Sequence, residues 1–213
     1  YPEEFNRCAI SALADIHLCP TISAMQNLKM SLGKNINAHV VGNTVLDNLS
    51  GYPASVEDFV LVTMHRRENH DNIKEWFTAI NNVAKSSSLS FILPLHPNPN
   101  VVKFSHLLTH VEVIDPLPYD TCIDMVSKCK FLITDSGGLQ EESSFFGKRC
   151  IVCRRVSERT EGIGDFAFMC PEPKDLESLY DCVSNATPTL VPLDCPYGDG
   201  KSAEKIAEIL RSI

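Results

Sequence analysis

The chain has 213 residues, 44% of them apolar and 22% charged, with a net charge of -8 at neutral pH. That length buries one good core, or one core and part of a second. The acidic balance argues against nucleic acid as a partner, because neutralising phosphates takes a basic face, and no apolar run reaches the ~18 residues of a membrane span.

The chain opens at Tyr1 rather than Met and shows no charged, apolar and small-residue leader, which fits a fragment. Residues 1–50 read as two helical segments, "YPEEFNRCAISALADIHLCPT" and "TISAMQNLKMSLG", with a short strand between them, then "AHVVGNTVLDNL" as a strand and a helix. They are expected to be the tail of another α/β unit, followed by a linker, "SGYPASVED", at 50–58. Residues 51–213 are expected to form a second domain, its final helix free to pack back on the first.

From residue 58 onward, strand-like and helix-like runs alternate. "DFVLVTM" is a strand and "NIKEWFTAINNVAKS" a helix, with Trp76, Ile80 and Val83 at helical spacing. "SFILPLH" is a strand, and "VVKFSHLLTH" is predicted as a helix. "VEVIDPL" and "YDTCIDMVSKC" repeat the pair, as do "KFLITD" and "GGLQEESSFFG", the latter closed by Gly147. "RCIVCR" and "AFMC" are strands; "PKDLESLYDCVSNA" and "KSAEKIAEILRSI" are helices. Strands that are apolar throughout, separated by helices, predict an α/β fold: a parallel sheet covered on both faces. Such a sheet binds ligands at the carboxyl ends of its strands. Those ends carry "HRREN" (65–69), "HPNPN" (96–100), "DPL" (115–117), "TDSGG" (134–138) and Arg154-Arg155.

Nine cysteines, mostly in apolar stretches, suit reduced, buried thiols and a cytoplasmic protein. Cys150 and Cys153 have C-x-x-C spacing, but residues three apart on a strand face opposite ways, and no second pair lies nearby. Metal or redox chemistry is not expected there.

The strongest local signal is "TDSGGLQEESS". Ser136 is a good helix N-cap, and Gly137 and Gly138 let backbone N–H groups approach an anion at the positive end of a helix dipole. One turn on, Glu141 and Glu142 offer acceptors to ribose hydroxyls. The alternative is an ordinary helix start with a solvated acidic first turn. In "HRREN", His65 and Arg66 are candidates for phosphate oxygens, Arg in a two-pronged contact; the alternative is surface pairing with Glu68 or Glu75. His96 sits in a proline-stiffened loop that is otherwise a plain turn. Arg154, Arg155 and Arg159 are either further anion contacts or a mobile basic loop.

With these residues in view the chain resembles the non-hydrolysing UDP-N-acetylglucosamine 2-epimerases. "PEEFNR", "VVGNTVLDNL", "VTMHRREN", "LPLHPNPNV", "LITDSGGLQEE", "SERTEG" and "PYGDGKSAEKI" come in that family's order along essentially the whole chain. The resemblance implies a Rossmann-like domain of a GT-B-type two-domain enzyme whose first domain is mostly absent from this sequence. It implies elimination and re-addition of UDP, interconverting UDP-N-acetylglucosamine and UDP-N-acetylmannosamine without a cofactor or metal. By the same resemblance Glu3 and His65 are catalytic. Ser136, Gly137, Gly138 and Glu142 hold UDP, with Glu142 on the ribose, and Arg66 is an anion contact. His96 matches a position tied to allosteric binding of UDP-N-acetylglucosamine. A homodimer is implied for the full-length enzyme. Thr160 stands where the family commonly shows Pro, and family motifs upstream of "PEE" are missing. A nucleotide-sugar-binding module and a GT-B glycosyltransferase domain remain the competing readings.

Overall fold

In the computed structural model, which describes residues 2–185 and 195–212, the uncharged run after the linker forms strand β3 (Phe59–Thr63), buried from Phe59 to Val62. It lies inside a six-stranded sheet with β4 (Ser90–Pro94), β5 (Glu112–Ile114), β6 (Phe131–Thr134), β7 (Cys150–Val152) and β8 (Ala167–Met169). The order is β5-β4-β3-β6-β7-β8 and every pairing is parallel. All carboxyl ends therefore open on one rim. The chain steps from β3 to β4 on one side, then returns to place β6 on the other, so the crevice between β3 and β6 is the topological switch point. The fold is thus the expected parallel α/β sheet: β6 and β7 are buried along their whole length and β3 as far as Val62.

Helix α3 (Ile73–Ser86) turns Ile73, Trp76, Phe77, Ile80 and Val83 inward at helical spacing. They join Val60, Val62, Phe91, Leu93, Phe131 and Ile133 in one core. Helix α7 (Leu176–Ser184) adds Leu176, Tyr180 and Val183, the Tyr180 ring lying 5.9 Å from Phe91 and 5.7 Å from Phe131.

Backbone contacts divide the chain into two units, one of residues 51–195 and one of 1–50 with 196–213. The second of these holds α1 (Glu3–Leu13), the parallel pair β1 (His17–Cys19) and β2 (Ala38–Val40), α2 (Ile22–Leu32) and α8 (Ser202–Arg211). Thr21 caps α2 through the Ala24 N–H. The carboxylate of Asp47 caps α8, accepting from Ser202 N at 2.9 Å and Ala203 N at 2.7 Å. Here Gly42 and Gly198, at φ +91° and +128°, pass so close that a Cβ on Gly198 would stand 3.0 Å from the Gly42 Cα. Helix α1 buries none of its residues, and Phe5, Ile10, Leu13, Ile22 and Met30 are exposed.

Three expectations are corrected. The stretch 101–110 is not one helix. It is a single turn, α4 (Pro99–Val102), started by Pro99 behind the Asn98 cap, followed by a 3-10 turn at Ser105–Leu107. The buried Val101 and Leu108 reproduce helical spacing by chance, while the β-branched Val101-Val102 pair gives a helix little support. Residues Thr44–Asn48 form a 3-10 helix rather than an α-helix, five residues between Asn43 and Leu49 being too few to propagate one. The helix from 173 begins as a 3-10 turn, Pro173–Asp175, and its predicted last residue, 186, lies outside the described residues, as does 213.

Candidate functional site

Strands β3 and β6 end side by side, with Thr63 opposite Thr134 and their hydroxyls 2.6 Å apart. The next residues diverge. After β3 the chain runs into His65, Arg66 and a 3-10 turn, Arg67–Asn69. After β6 it turns at Asp135 into α6 (Gly137–Phe145).

Ser136 caps α6: its hydroxyl accepts from Leu139 N at 3.4 Å, and its own N–H donates to Thr134 Oγ1 at 2.9 Å. The acidic side chains of α6 are not solvated. Gln140, Glu141, Glu142, Ser143 and Ser144 are all buried, which removes the alternative of an acidic turn in water. Each finds a partner. Arg159 Nε donates to Glu141 Oε1 at 2.8 Å, Ser157 to Gln140 Oε1 at 2.9 Å, and the Tyr119 phenol to Glu142 Oε1 at 2.9 Å. Burial pushes the Glu142 carboxyl above its ordinary range; the Tyr119 hydrogen bond pulls it back, and neighbouring Glu141 pushes it up again. Burial and the Glu142 charge likewise raise the Tyr119 phenol, which stays a donor.

Asp135 is fully buried. Its Oδ2 accepts from Arg66 N at 2.8 Å, His65 N at 3.0 Å and Asn69 Nδ2 at 3.1 Å. Its Oδ1 accepts from His65 N at 3.1 Å and lies 3.2 Å from His65 Nδ1. Asn69 Nδ2 also reaches Cys153 O at 3.0 Å, tying the end of β7 into the same network. The His65 side chain is 38% exposed and its ring stacks on His96, centroids 6.0 Å apart at 26°. His96 Nδ1 accepts from Asn98 N at 3.2 Å.

A cleft of about 410 Å³ opens over these ends. It is lined by His65 after β3, His96 after β4, Pro116 and Leu117 after β5, Tyr119 and Cys122 of α5 (Tyr119–Lys128), and Ser136, Gly138 and Glu142. Five of the eight candidate residues thus share one cavity. Gly137 does not line it. The Arg159 guanidinium lies over Gly137, so a Cβ there would stand 3.0 Å from Nη1. Arg66 does not line it either, and its Nε is buried without a hydrogen-bond partner among the described residues. Glu3 is the first residue of α1, in the other unit.

The basic residues after β7 go elsewhere. Arg154 pairs with Glu68 and Glu158 at 2.8 and 3.0 Å, and both Arg154 and Arg155 line a separate cavity of about 540 Å³. Arg155 pairs with Glu172 at 2.9 Å. The arginines of the loop at 154–159 are thus each paired with an acid. Of the two expected surface partners of the "HRREN" arginines, Glu68 is taken by Arg154. Cys150 and Cys153 are buried, and burial pushes the Cys150 thiol up to about 12 and the Cys153 thiol up as well, away from the thiolate that metals and disulfide exchange require.

Asp135 and Tyr119 carry no role in the sequence reading. Asp135 has a visible signal, an acid directly after a strand with no other polar group than a terminal Thr. Tyr119 has none, because its partner lies 23 residues away on another helix.

A sequence profile of the family described as UDP-N-acetylglucosamine 2-epimerase matches residues 1–211. The UDP-N-acetylglucosamine 2-epimerase of Campylobacter jejuni is 34% identical, covering 99% of this chain and 64% of its own length. The crystal structure of the Neisseria meningitidis UDP-GlcNAc 2-epimerase bound to UDP-GlcNAc superposes with a TM-score of 0.82 at 31% identity, covering 100% of this chain and 66% of that one. A Staphylococcus aureus co-structure, MnaA–UDP, gives 0.88 at 28%, covering 99% and 64%. The chain thus spans slightly under two thirds of each of these proteins.

Proposed function

The chain belongs to the UDP-N-acetylglucosamine 2-epimerase family, and on that premise we propose that it is the larger part of an enzyme interconverting UDP-N-acetylglucosamine and UDP-N-acetylmannosamine. The C1–O bond to UDP breaks as a base removes the C2 proton, leaving 2-acetamidoglucal and UDP. UDP adds back to C1 as a proton returns to the other face of C2. The overall change is inversion at C2, with no oxidant or cofactor consumed.

The carrying observation is that a capped helix start, a buried carboxylate and a histidine meet in one cleft at the switch point of the sheet. Free N–H groups at the start of α6 suit the diphosphate, with Ser136, Gly137 and Gly138 forming the turn. Glu142, one turn on, is the acceptor for a ribose hydroxyl. His65 and Arg66 stabilise charge growing on the leaving diphosphate, where such help lowers the barrier most. Glu3 is the carboxylate for proton transfer. His96 is assigned to a second, regulatory UDP-N-acetylglucosamine molecule, and the complete enzyme is proposed to act as a cytoplasmic homodimer. Among the described residues no helix is long and apolar enough to cross a membrane.

Calorimetry on the chain tests the nucleotide site. UDP should bind and uridine should bind much less, since the diphosphate is held at the start of α6. No heat from UDP, or equal affinity for the two, would overturn the assignment. Product analysis with UDP-N-acetylglucosamine on the complete protein separates epimerisation from sugar transfer to an acceptor.

A further inference from the structure

A buried carboxylate with one oxygen engaged and the other free is half of a hydrogen-bonded site. Glu142 is 5% exposed, and its Oε1 accepts from the Tyr119 phenol at 2.9 Å. Its Oε2 has no hydrogen-bond partner among the described residues. We infer that Tyr119 is a positioning residue for Glu142: by holding Oε1 it turns Oε2 into the cleft, and so makes the site prefer a ribonucleotide over one whose sugar lacks its hydroxyls. The inference rests on the ribose role proposed above for Glu142.

Oε2 lies where a ribose would need it. Glu142 stands one helical turn beyond Gly138, on the same face of α6. A Cβ on Gly138 would be 4.0 Å from Oε2 and 4.0 Å from Ser136 Oγ, so this oxygen adjoins the turn assigned to the diphosphate. The fully buried side-chain nitrogens and oxygens left without a partner among the described residues are Arg66 Nε and Ser202 Oγ. Oε2 is unpartnered yet not one of them, so it keeps part of the small exposure of Glu142, and Glu142 lines the cleft.

A free glutamate carboxylate turns easily about its last bond, because the two-fold torsion there is broad. The phenol removes that freedom. Tyr119 is itself held: it is the first residue of α5, behind Pro118, whose carbonyl accepts from Cys122 N at 3.0 Å. Burial raises the Glu142 carboxyl and the phenol draws it back, favouring the ionised form, which only accepts. Tyr119→Phe keeps the ring in the cleft and removes only the donor. Tyr52→Phe is the matched control. The Tyr52 phenol donates to Asp120 Oδ1 at 3.2 Å, on the next residue of α5, and makes no hydrogen bond to Glu142.

Calorimetry of the full chain and its variants, with UDP and with the dideoxy analogue lacking both ribose hydroxyls, reads the preference. Trp76 fluorescence reports that each chain is folded. The unaltered chain should bind UDP at least about tenfold more tightly than the analogue, hydrogen bonds to charged groups being among the stronger ones. Tyr119→Phe should cut that ratio to about threefold or less by weakening UDP alone. Tyr52→Phe should leave it as it was. A folded Tyr119→Phe chain that keeps the full ratio, or that weakens both ligands equally, would overturn the inference, as would a Tyr52→Phe chain that loses the ratio. Glu142→Ala separates the inference from the reading beneath it. A ratio lost in Glu142→Ala but kept in Tyr119→Phe overturns the positioning role alone. Equal affinity for the two ligands in the unaltered chain, or a ratio kept in a folded Glu142→Ala chain, overturns the ribose role and the positioning role with it, whether or not Tyr119→Phe folds.

Discussion

Replacing Tyr119 with Phe removes one oxygen, and the structure sets both the size of the effect and its pH dependence. The phenol donates to Glu142 Oε1 at 2.9 Å, and Glu142 is buried. A hydrogen bond to a charged group contributes ~1.5–3 kcal/mol. Tyr119 is 48% exposed, so water can take the vacated place, and the loss should fall near the low end, about 1.5 kcal/mol. Glu142 is raised from its ordinary 4.5 in the folded chain, so its contribution to stability is full below that value and is lost as pH rises through the folded value. Tyr119 opposes this by favouring the ionised form. Without it the carboxyl rises further, so the loss of stability grows as pH rises through the folded value. Below about pH 4.5 it shrinks to that of a neutral hydrogen bond. Trp76, the single tryptophan, is buried on α3 and reports the unfolding of its own unit by fluorescence. Urea titrations of both chains at pH 7 and pH 4 give the comparison. A Tyr119→Phe chain equally destabilised at both pH values would refute the coupling to Glu142 and leave only lost packing.

Combining Ser136→Ala with Glu142→Ala should weaken UDP binding by ~1–3 kcal/mol, since a cap and an acceptor go together; unchanged calorimetry on a folded variant would remove the nucleotide from this turn. In a polypeptide that also carries the remaining third of the relatives' length, His65→Ala should lower turnover more than it raises KM. Normal turnover with only a raised KM would make His65 a binding residue. The 213-residue chain alone should fold but not epimerise, because an open site admits water and leaves the sugar unpositioned. Incubation with UDP-N-acetylglucosamine in deuterated water checks this, and deuterium at C2 would contradict it.

The sheet was legible because β3 and β6 are apolar up to their last residue, a pattern that needs no knowledge of their neighbours. The rim residues were legible because they stand where such runs stop. What the sequence withheld is pairing at a distance. Arg154 meets Glu68 86 positions earlier, and Asp135 meets His65 70 positions earlier. No local spacing encodes either. That is why a loop of three arginines reads as a basic patch although its charges are spent on acids, and why the acid after β6 passes without notice. The short turns between 99 and 108 were misread for a related reason: the buried Val101 and Leu108 obey helical spacing while the backbone between them does not.

The place of β3 in the sheet bears on how the chain is made. It is the first strand of its unit to be synthesised and it ends up with neighbours on both edges. One edge is filled when β4 arrives about 30 residues later. The other waits for β6, whose Thr134 lies 71 residues beyond Thr63. At ribosomal rates of ~5–20 residues per second that interval is roughly 4–14 s. Through it, the segment Phe59–Thr63 shows an unpaired edge with no charge and no proline to deter pairing with another nascent chain. Substitutions that slow or weaken β6 therefore act on solubility during synthesis as well as on the finished fold. A folding helper that shields short apolar segments would be needed most between the emergence of residue 63 and that of residue 134.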